Sequence, residues 1–183
     1  MKKQPFVSDA ETSMDQGLSL DIPDVRDEPS VIDALLPLDG MDILELGCGR
    51  AEKTRALASA GSNRRILALE VDRAQHAINV DAPPIPGVRF EFGGAEQIPA
   101  QDDSFDVVFM FKSLHHVPVE GMDQALHEIA RVLRPGGLAY VSEPIFRGDF
   151  NEVLRIFHDE SRVRTEAFGA VRRAVELGRL ELV

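Results

Sequence analysis

Phe105-Asp-Val-Val-Phe-Met-Phe111 is apolar at nearly every position, so a strand built from it has no face to offer water. Such a strand belongs inside a sheet covered by helices front and back. Met41–Leu46, Arg65–Glu70, Val88–Phe92 and Gly137–Ser142 read as four more strands bounded by turn residues. Between them Glu52–Ala60, Arg73–Asn79 and Met122–Leu133 have helical period, the last with Ala125, Ile129, Val132 and Leu133 on one side. Repeated alternation of this kind predicts an α/β fold, a doubly wound parallel sheet with helices on both faces. Ligands of such sheets sit beyond the carboxyl ends of the strands, where the strand order reverses.

The chain divides into three expected parts. Residues 1–29 are polar, acidic and interrupted by Pro5, Pro23 and Pro29, and read as a loosely ordered arm. Residues 30–145 carry the strand and helix alternation of a ligand-binding domain. Residues 146–183 carry two segments of helical spacing, Asn151–His158 and Glu166–Leu177, and then Arg179-Leu-Glu-Leu-Val183, which reads as the opening of a sixth strand.

Composition excludes some classes of partner. A formal charge of −11 argues against a nucleic-acid partner, because phosphate binding needs a basic face. Arginines 162, 164, 172 and 173 are interleaved with acids and read as a solvated helix face. No apolar run approaches the roughly 18 residues of a membrane span, and the expected compartment is the cytoplasm. Cys48 is the only cysteine, so neither a disulfide nor a paired-cysteine zinc site is expected. His127-Glu-Ile-Ala-Arg131 places arginine where a zinc-binding helix needs its second histidine; no metal is expected.

The site residues follow the strands. After the first strand come Gly47, Cys48 and Gly49, where missing side chains let the backbone turn sharply and approach a ligand; Cys48 fills a place that needs a small residue. A dinucleotide turn requires a small residue at position 52, yet Glu52 stands there. A nicotinamide oxidoreductase is disfavoured accordingly. Glu45, inside the first strand, needs a cationic or hydrogen-bonding partner, and a ligand ammonium would satisfy it. Glu70 ends the second strand about 20 residues beyond the turn, where a carboxylate can accept ribose hydroxyls; Asp72 caps the next helix. Gly93 and Gly94 permit close backbone approach, and Ala95 and Glu96 are placed to line a flat aromatic ligand. His115 and His116, after the fourth strand, and Glu143, after the fifth, lie at the same rim as candidates for a base or an acceptor-binding group.

These residues describe a nucleoside with an amino group and no diphosphate, and the chain resembles a class I S-adenosylmethionine-dependent methyltransferase. The similarity is to the small-molecule group that includes the ubiquinone and menaquinone biosynthesis enzymes. "ILELGCGR" resembles the family's glycine motif, "LALEVD" its ribose-binding acid, "GGAEQIPAQDDSFDVVF" the segment after the adenine contact and "RVLRPGG" the turn before strand five. The resemblance spans about residues 30–145. It implies a Rossmann-like fold with S-adenosyl-L-methionine as cofactor and a small-molecule acceptor, with residues 146–165 as the acceptor lid. It implies the carboxypropyl end near Gly47 and Gly49, the ribose on Glu70, the adenine between Val71 and Gly94–Glu96, and a backbone contact near Phe111. In one departure, relatives carry an aspartate where Gly94 stands, which leaves base recognition here to backbone and nearby side chains. Relatives also close the sheet with a hairpin of strands six and seven, of which only the opening is expected here. That leads to the expectation of a truncated chain, or of a homodimer through the edge of strand five. The alternative function is a non-catalytic cofactor-binding or assembly module.

Overall fold

The computed structural model describes residues 27–146 and 149–183, divided into two units at the Pro37–Leu38 boundary. Most of the expected arm, residues 1–26, lies outside the described residues. Its last residues do not belong to an arm: α1 runs Glu28–Leu35, opened by Asp27, whose carboxylate accepts from Ser30 N at 2.9 Å. Pro29 stands in the first turn of that helix, where its missing N–H costs nothing.

The second unit runs β1 (Asp42–Leu46), α2 (Glu52–Ser59), β2 (Arg65–Glu70), α3 (Arg73–Asp81), β3 (Val88–Phe92) and β4 (Phe105–Phe111). A 3₁₀ turn at Leu114–His116 follows, then α4 (Val119–Val132), β5 (Leu133–Ser142), α5 (Asp149–Leu154) and α6 (Ser161–Glu176). The five strands form one sheet in the order β3-β2-β1-β4-β5, and every pairing is parallel. The doubly wound expectation is met, with the order reversing at β1.

One face of the sheet buries Leu44, Leu46, Leu67, Leu69, Val108 and Met110 against α4 and α6. Helix α4 presents Met122, Ala125, Leu126, Ile129 and Val132, all fully buried at the 3.6-residue period. Helix α6 approaches through Ala167, Ala170 and Ala174, whose small side chains allow close packing. Burying a leucine or isoleucine in such a core is worth about 1.5–3 kcal/mol. The His127–Arg131 stretch acts here as a clamp. Glu128 accepts from Ile98 N at 2.9 Å and from Arg131 at 2.7 Å, and Arg131 reaches Ala100 O and Asp102, tying the loop after β3 to α4.

Two features depart from expectation. Strand β5 begins at Leu133, not Gly137; a register shift opposite Phe105 and Val107 takes up the Pro135-Gly136-Gly137 turn. Arg134 in that shift bridges Asp42 of β1 and Asp106 of β4. Arg179–Val183 is not the start of a strand, because α6 ends in a turn and the last three residues have no regular structure. The outer edge of β5 therefore has no strand partner among the described residues. A cavity of about 610 Å³, lined by Leu126, Leu138, Val171, Val175 and Leu180, runs beside it.

Candidate functional site

The turn between β1 and α2 is shaped by two glycines with positive φ, Gly47 at 70° and Gly49 at 52°. Gly47 N and Cys48 N both donate to Leu69 O at 3.0 Å, which locks the turn to the end of β2. Gly47 also sits where no side chain fits: a Cβ there would come within 2.8 Å of Ser113 Cβ. Ser113 Oγ in turn donates to Leu46 O at 2.8 Å, fixing the tip of β4 against the tip of β1.

Glu70 does more than end a strand. Its Oε2 accepts from Gly49 N at 2.7 Å, and its Oε1 accepts from Val71 N and Asp72 N at 2.8 Å. The Gly49 peptide is gripped from its other side as well, since Asn79 Nδ2 donates to Gly49 O at 2.7 Å. Asn79 is buried on α3, and sequence reading passed it over as the end of a helix. The only available signal was a polar residue on a face that packs inward. Asp72 caps α3 as expected, accepting from Ala74 N and Gln75 N.

A cavity of about 600 Å³ opens over these strand ends, a size suited to a nucleoside-sized ligand. Of the residues expected at the site, Gly47, Gly49, Glu70, Val71, Gly94, Ala95, Glu96 and His116 line it, together with Lys112 and Ser113. The wall is poor in Cβ atoms along Gly47, Gly49, Gly93 and Gly94, leaving backbone exposed to a ligand.

Glu45, Cys48, Phe111, His115 and Glu143 do not line this cavity. Glu45 is 2 % exposed and receives Thr54 Oγ1 at 2.6 Å, so the partner its burial demands comes from α2 and not from a ligand in the cavity. Burial pushes its carboxyl up to about 7, against the opposing pull of the Thr54 hydroxyl and the Lys53 charge. Cys48 lies under the turn, and burial with the nearby charges of Glu45 and Glu70 pushes its thiol up to about 12, which leaves it inert. Phe111 stacks its ring on Phe109 at 5.0 Å, while its neighbours Met110 and Lys112 face the cavity.

His115 and Glu143 form a pair behind the wall. Glu143 Oε2 lies 2.5 Å from His115 Nδ1, and its Oε1 accepts from Leu114 N at 2.8 Å, anchoring the 3₁₀ turn to the end of β5. His115 packs against His116 with ring centroids 4.1 Å apart. His116 reaches the cavity with its pKa held below 6.5, first by burial and then by its neighbour His115, so at neutral pH it is an uncharged imidazole. Among the described residues no group of three or more His, Cys, Asp or Glu is arranged to hold a metal ion, and no helix is long and apolar enough to cross a membrane.

The family model described as a methyltransferase domain matches residues 43–137. The chain is 38% identical over 109 residues to the 27-O-demethylrifamycin SV methyltransferase of Amycolatopsis mediterranei, covering 56% of this chain and 39% of that one. A solved S-adenosylmethionine-dependent methyltransferase from Mesorhizobium loti superposes with a TM-score of 0.56 at 25% identity, over 64% of this chain and 53% of the other. The [4+2]-cyclase SpnF superposes with a TM-score of 0.58 at 27% identity, over 67% of this chain and 45% of the other. The chain spans about two fifths of the length of the curated relatives it matches. With the match covering just over half its length, and the glycine turn and strand-end acid inside it, the chain belongs to the methyltransferase-domain family.

Proposed function

We propose that this domain transfers a methyl group from S-adenosyl-L-methionine to a small-molecule acceptor by in-line displacement. The observation that carries the reading is the cavity over β1, β2 and β4, lined by the two glycines of the first turn, the strand-end carboxylate of Glu70 and the His116 imidazole. When bound, the cofactor supplies a methyl group already activated by the sulfonium charge, so the protein needs no nucleophile of its own.

The residues of the chain then have separable tasks. The Gly47–Gly49 turn receives the amino-acid end, with Gly47 and Gly49 presenting backbone to the cavity. Glu70 has about four lone-pair positions, three of them engaged by backbone N–H groups. The position left on Oε2 faces a ribose hydroxyl. Val71 and Gly94–Glu96 take the base. His116 accepts the proton that an acceptor hydroxyl or amine must lose, and Glu143 holds His115 against it as a positioning residue. Alignment of two reactants can lower a barrier by about 7–11 kcal/mol, so a rigid cavity wall is the main contribution asked of the protein. The net charge of −11 favours a small acceptor over a nucleic acid.

Isothermal titration with S-adenosylhomocysteine tests the cofactor site, with Glu70→Ala as the weakened variant. Absence of binding to the parent chain overturns the reading. A second reading, cofactor binding without methyl transfer, is favoured by the likeness to a cyclase. Release of S-adenosylhomocysteine in the presence of an acceptor panel excludes it.

A further inference from the structure

The two glycines of the first turn are held by different forces. Gly47 is fixed by packing, since a Cβ there would come within 2.8 Å of Ser113 Cβ, and its N–H donates to Leu69 O at 3.0 Å. Gly49 has nothing within 4 Å of the place a Cβ would take, so packing does not fix the peptide groups that flank it. Hydrogen bonds set them. On one side Gly49 N donates to Glu70 Oε2 at 2.7 Å and Cys48 O accepts from Ala51 N at 2.8 Å. On the other, Gly49 O accepts from Asn79 Nδ2 at 2.7 Å, with the Cys48 thiol at 3.9 Å a far weaker second donor.

Every polar atom of the Asn79 side chain is engaged. The residue is 3 % exposed, and an amide buried to that extent is costly unless its hydrogen bonds are made. Gln75, one turn earlier on α3, donates from Nε2 to Asn79 Oδ1 at 3.0 Å, which turns the Asn79 amino group toward the glycine turn. Its Nδ2 then reaches Gly49 O at 2.7 Å and Cys48 Sγ at 3.6 Å. Helix α3 is thereby tied to the turn through a side chain that does not itself line the cavity.

We propose that Asn79 is a positioning residue for the amino-acid end of the cofactor, acting through the Gly49 carbonyl to hold the turn in the shape that end requires. The inference rests on the proposed function, since it takes the Gly47–Gly49 turn to receive that end. Asn79 makes its hydrogen bonds to Gln75, Cys48 and Gly49, none of which belongs to the surface assigned to the base. Glu70 keeps the Val71 and Asp72 N–H groups on its Oε1 whatever becomes of Gly49, so the ribose contact survives. Loss of Asn79 therefore disturbs one end of the cofactor and spares the other.

Calorimetric titration with S-adenosylhomocysteine and with 5′-methylthioadenosine, the same nucleoside without the amino-acid end, separates the two. The parent chain binds S-adenosylhomocysteine more tightly. In Asn79→Ala its affinity falls about threefold to tenfold, the range for one hydrogen bond, and methylthioadenosine affinity does not change. Asn79→Asp, which keeps the shape and an oxygen for Gln75 but has no donor for Gly49 O, loses at least as much with the same selectivity. Gln75→Ala leaves the buried amide in place, frees only its orientation, and gives a smaller loss confined to S-adenosylhomocysteine. A helix that merely packs would lower both affinities together or neither. Equal effects on both ligands, or none, in variants with the parental melting transition overturn the assignment of Asn79; if the Asn79 variants fail to fold, Gln75→Ala decides by the same criterion. A parent that binds both ligands equally removes the amino-acid end from the turn and this inference with it, while the nucleoside site stands. A parent that binds neither overturns the proposed function itself.

Discussion

Replacing Glu45 by glutamine should make this protein more stable at neutral pH and change little in acid. Glu45 lies in the central strand β1, 2 % exposed, with Thr54 Oγ1 at 2.6 Å as the hydrogen-bond donor on its Oε2. Burial raises its pKa from 4.5 to about 7, outweighing the pull of Thr54 and Lys53. Between those two values the folded chain holds a proton that the unfolded chain has released, so stability falls as pH rises. The penalty is absent below 4.5, grows through the interval and is complete above about 7. At about 1.4 kcal/mol per tenfold in proton affinity, the shift is worth about 3 kcal/mol. Glutamine keeps the shape and a carbonyl oxygen for Thr54 to donate to, but cannot ionise. Urea unfolding of parent and variant from about pH 4 to pH 8 supplies the difference in unfolding free energy at each pH. The expected difference curve rises by about 3 kcal/mol in favour of the variant, most of it between 4.5 and 7. A flat difference curve would show that Glu45 titrates as in water, and the desolvation argument would be wrong.

Substitutions at four other positions have defined outcomes. Gly47→Ala forces a Cβ into the left-handed region and against Ser113, so urea unfolding should show a loss of at least about 2 kcal/mol. Gly49→Ala, which meets open space, should lose only about 1 kcal/mol. Glu128→Ala leaves Ile98 N and Arg131 without their buried acceptor and should cost about 3 kcal/mol in the same assay, with Glu128→Gln recovering part of it. For His116, whose pKa is depressed below 6.5, the rate of S-adenosylhomocysteine release should rise with pH through a midpoint below that value and then level off. His116→Gln should lack that limb; an unchanged profile would remove His116 as the base.

The strands were legible because their signal is local. Arg65–Glu70, Val88–Phe92 and Phe105–Phe111 have the bounds read from the sequence, since an apolar run between turn residues needs no knowledge of its neighbours. Helix ends were less so. Helix α4 begins three residues before the apolar period does, and α1 was missed because Pro5, Pro23 and Pro29 together looked like a loop when Pro29 was a first-turn proline. The start of β5 was hidden by Pro135-Gly136-Gly137, a turn signal that the sheet absorbs as a register shift.

For the site, the sequence by itself determined which residues reach the rim: the glycine turn, Glu70 and the 94–96 segment follow strands, and a parallel sheet delivers all its strand ends to one edge. Only the tertiary structure decided what each side chain does there. Whether Glu45 meets a ligand or Thr54, whether Glu70 is free or holds three amides, and whether Asn79, 30 residues away, closes on Gly49 are settled by how helices seat against the sheet. The physical reason is range. Strand and turn propensities are set by covalent geometry within a few residues, whereas a hydrogen bond has a reach of about 3 Å and is directional. Small rotations of α2 or α3, invisible in the order of residues, choose its partner.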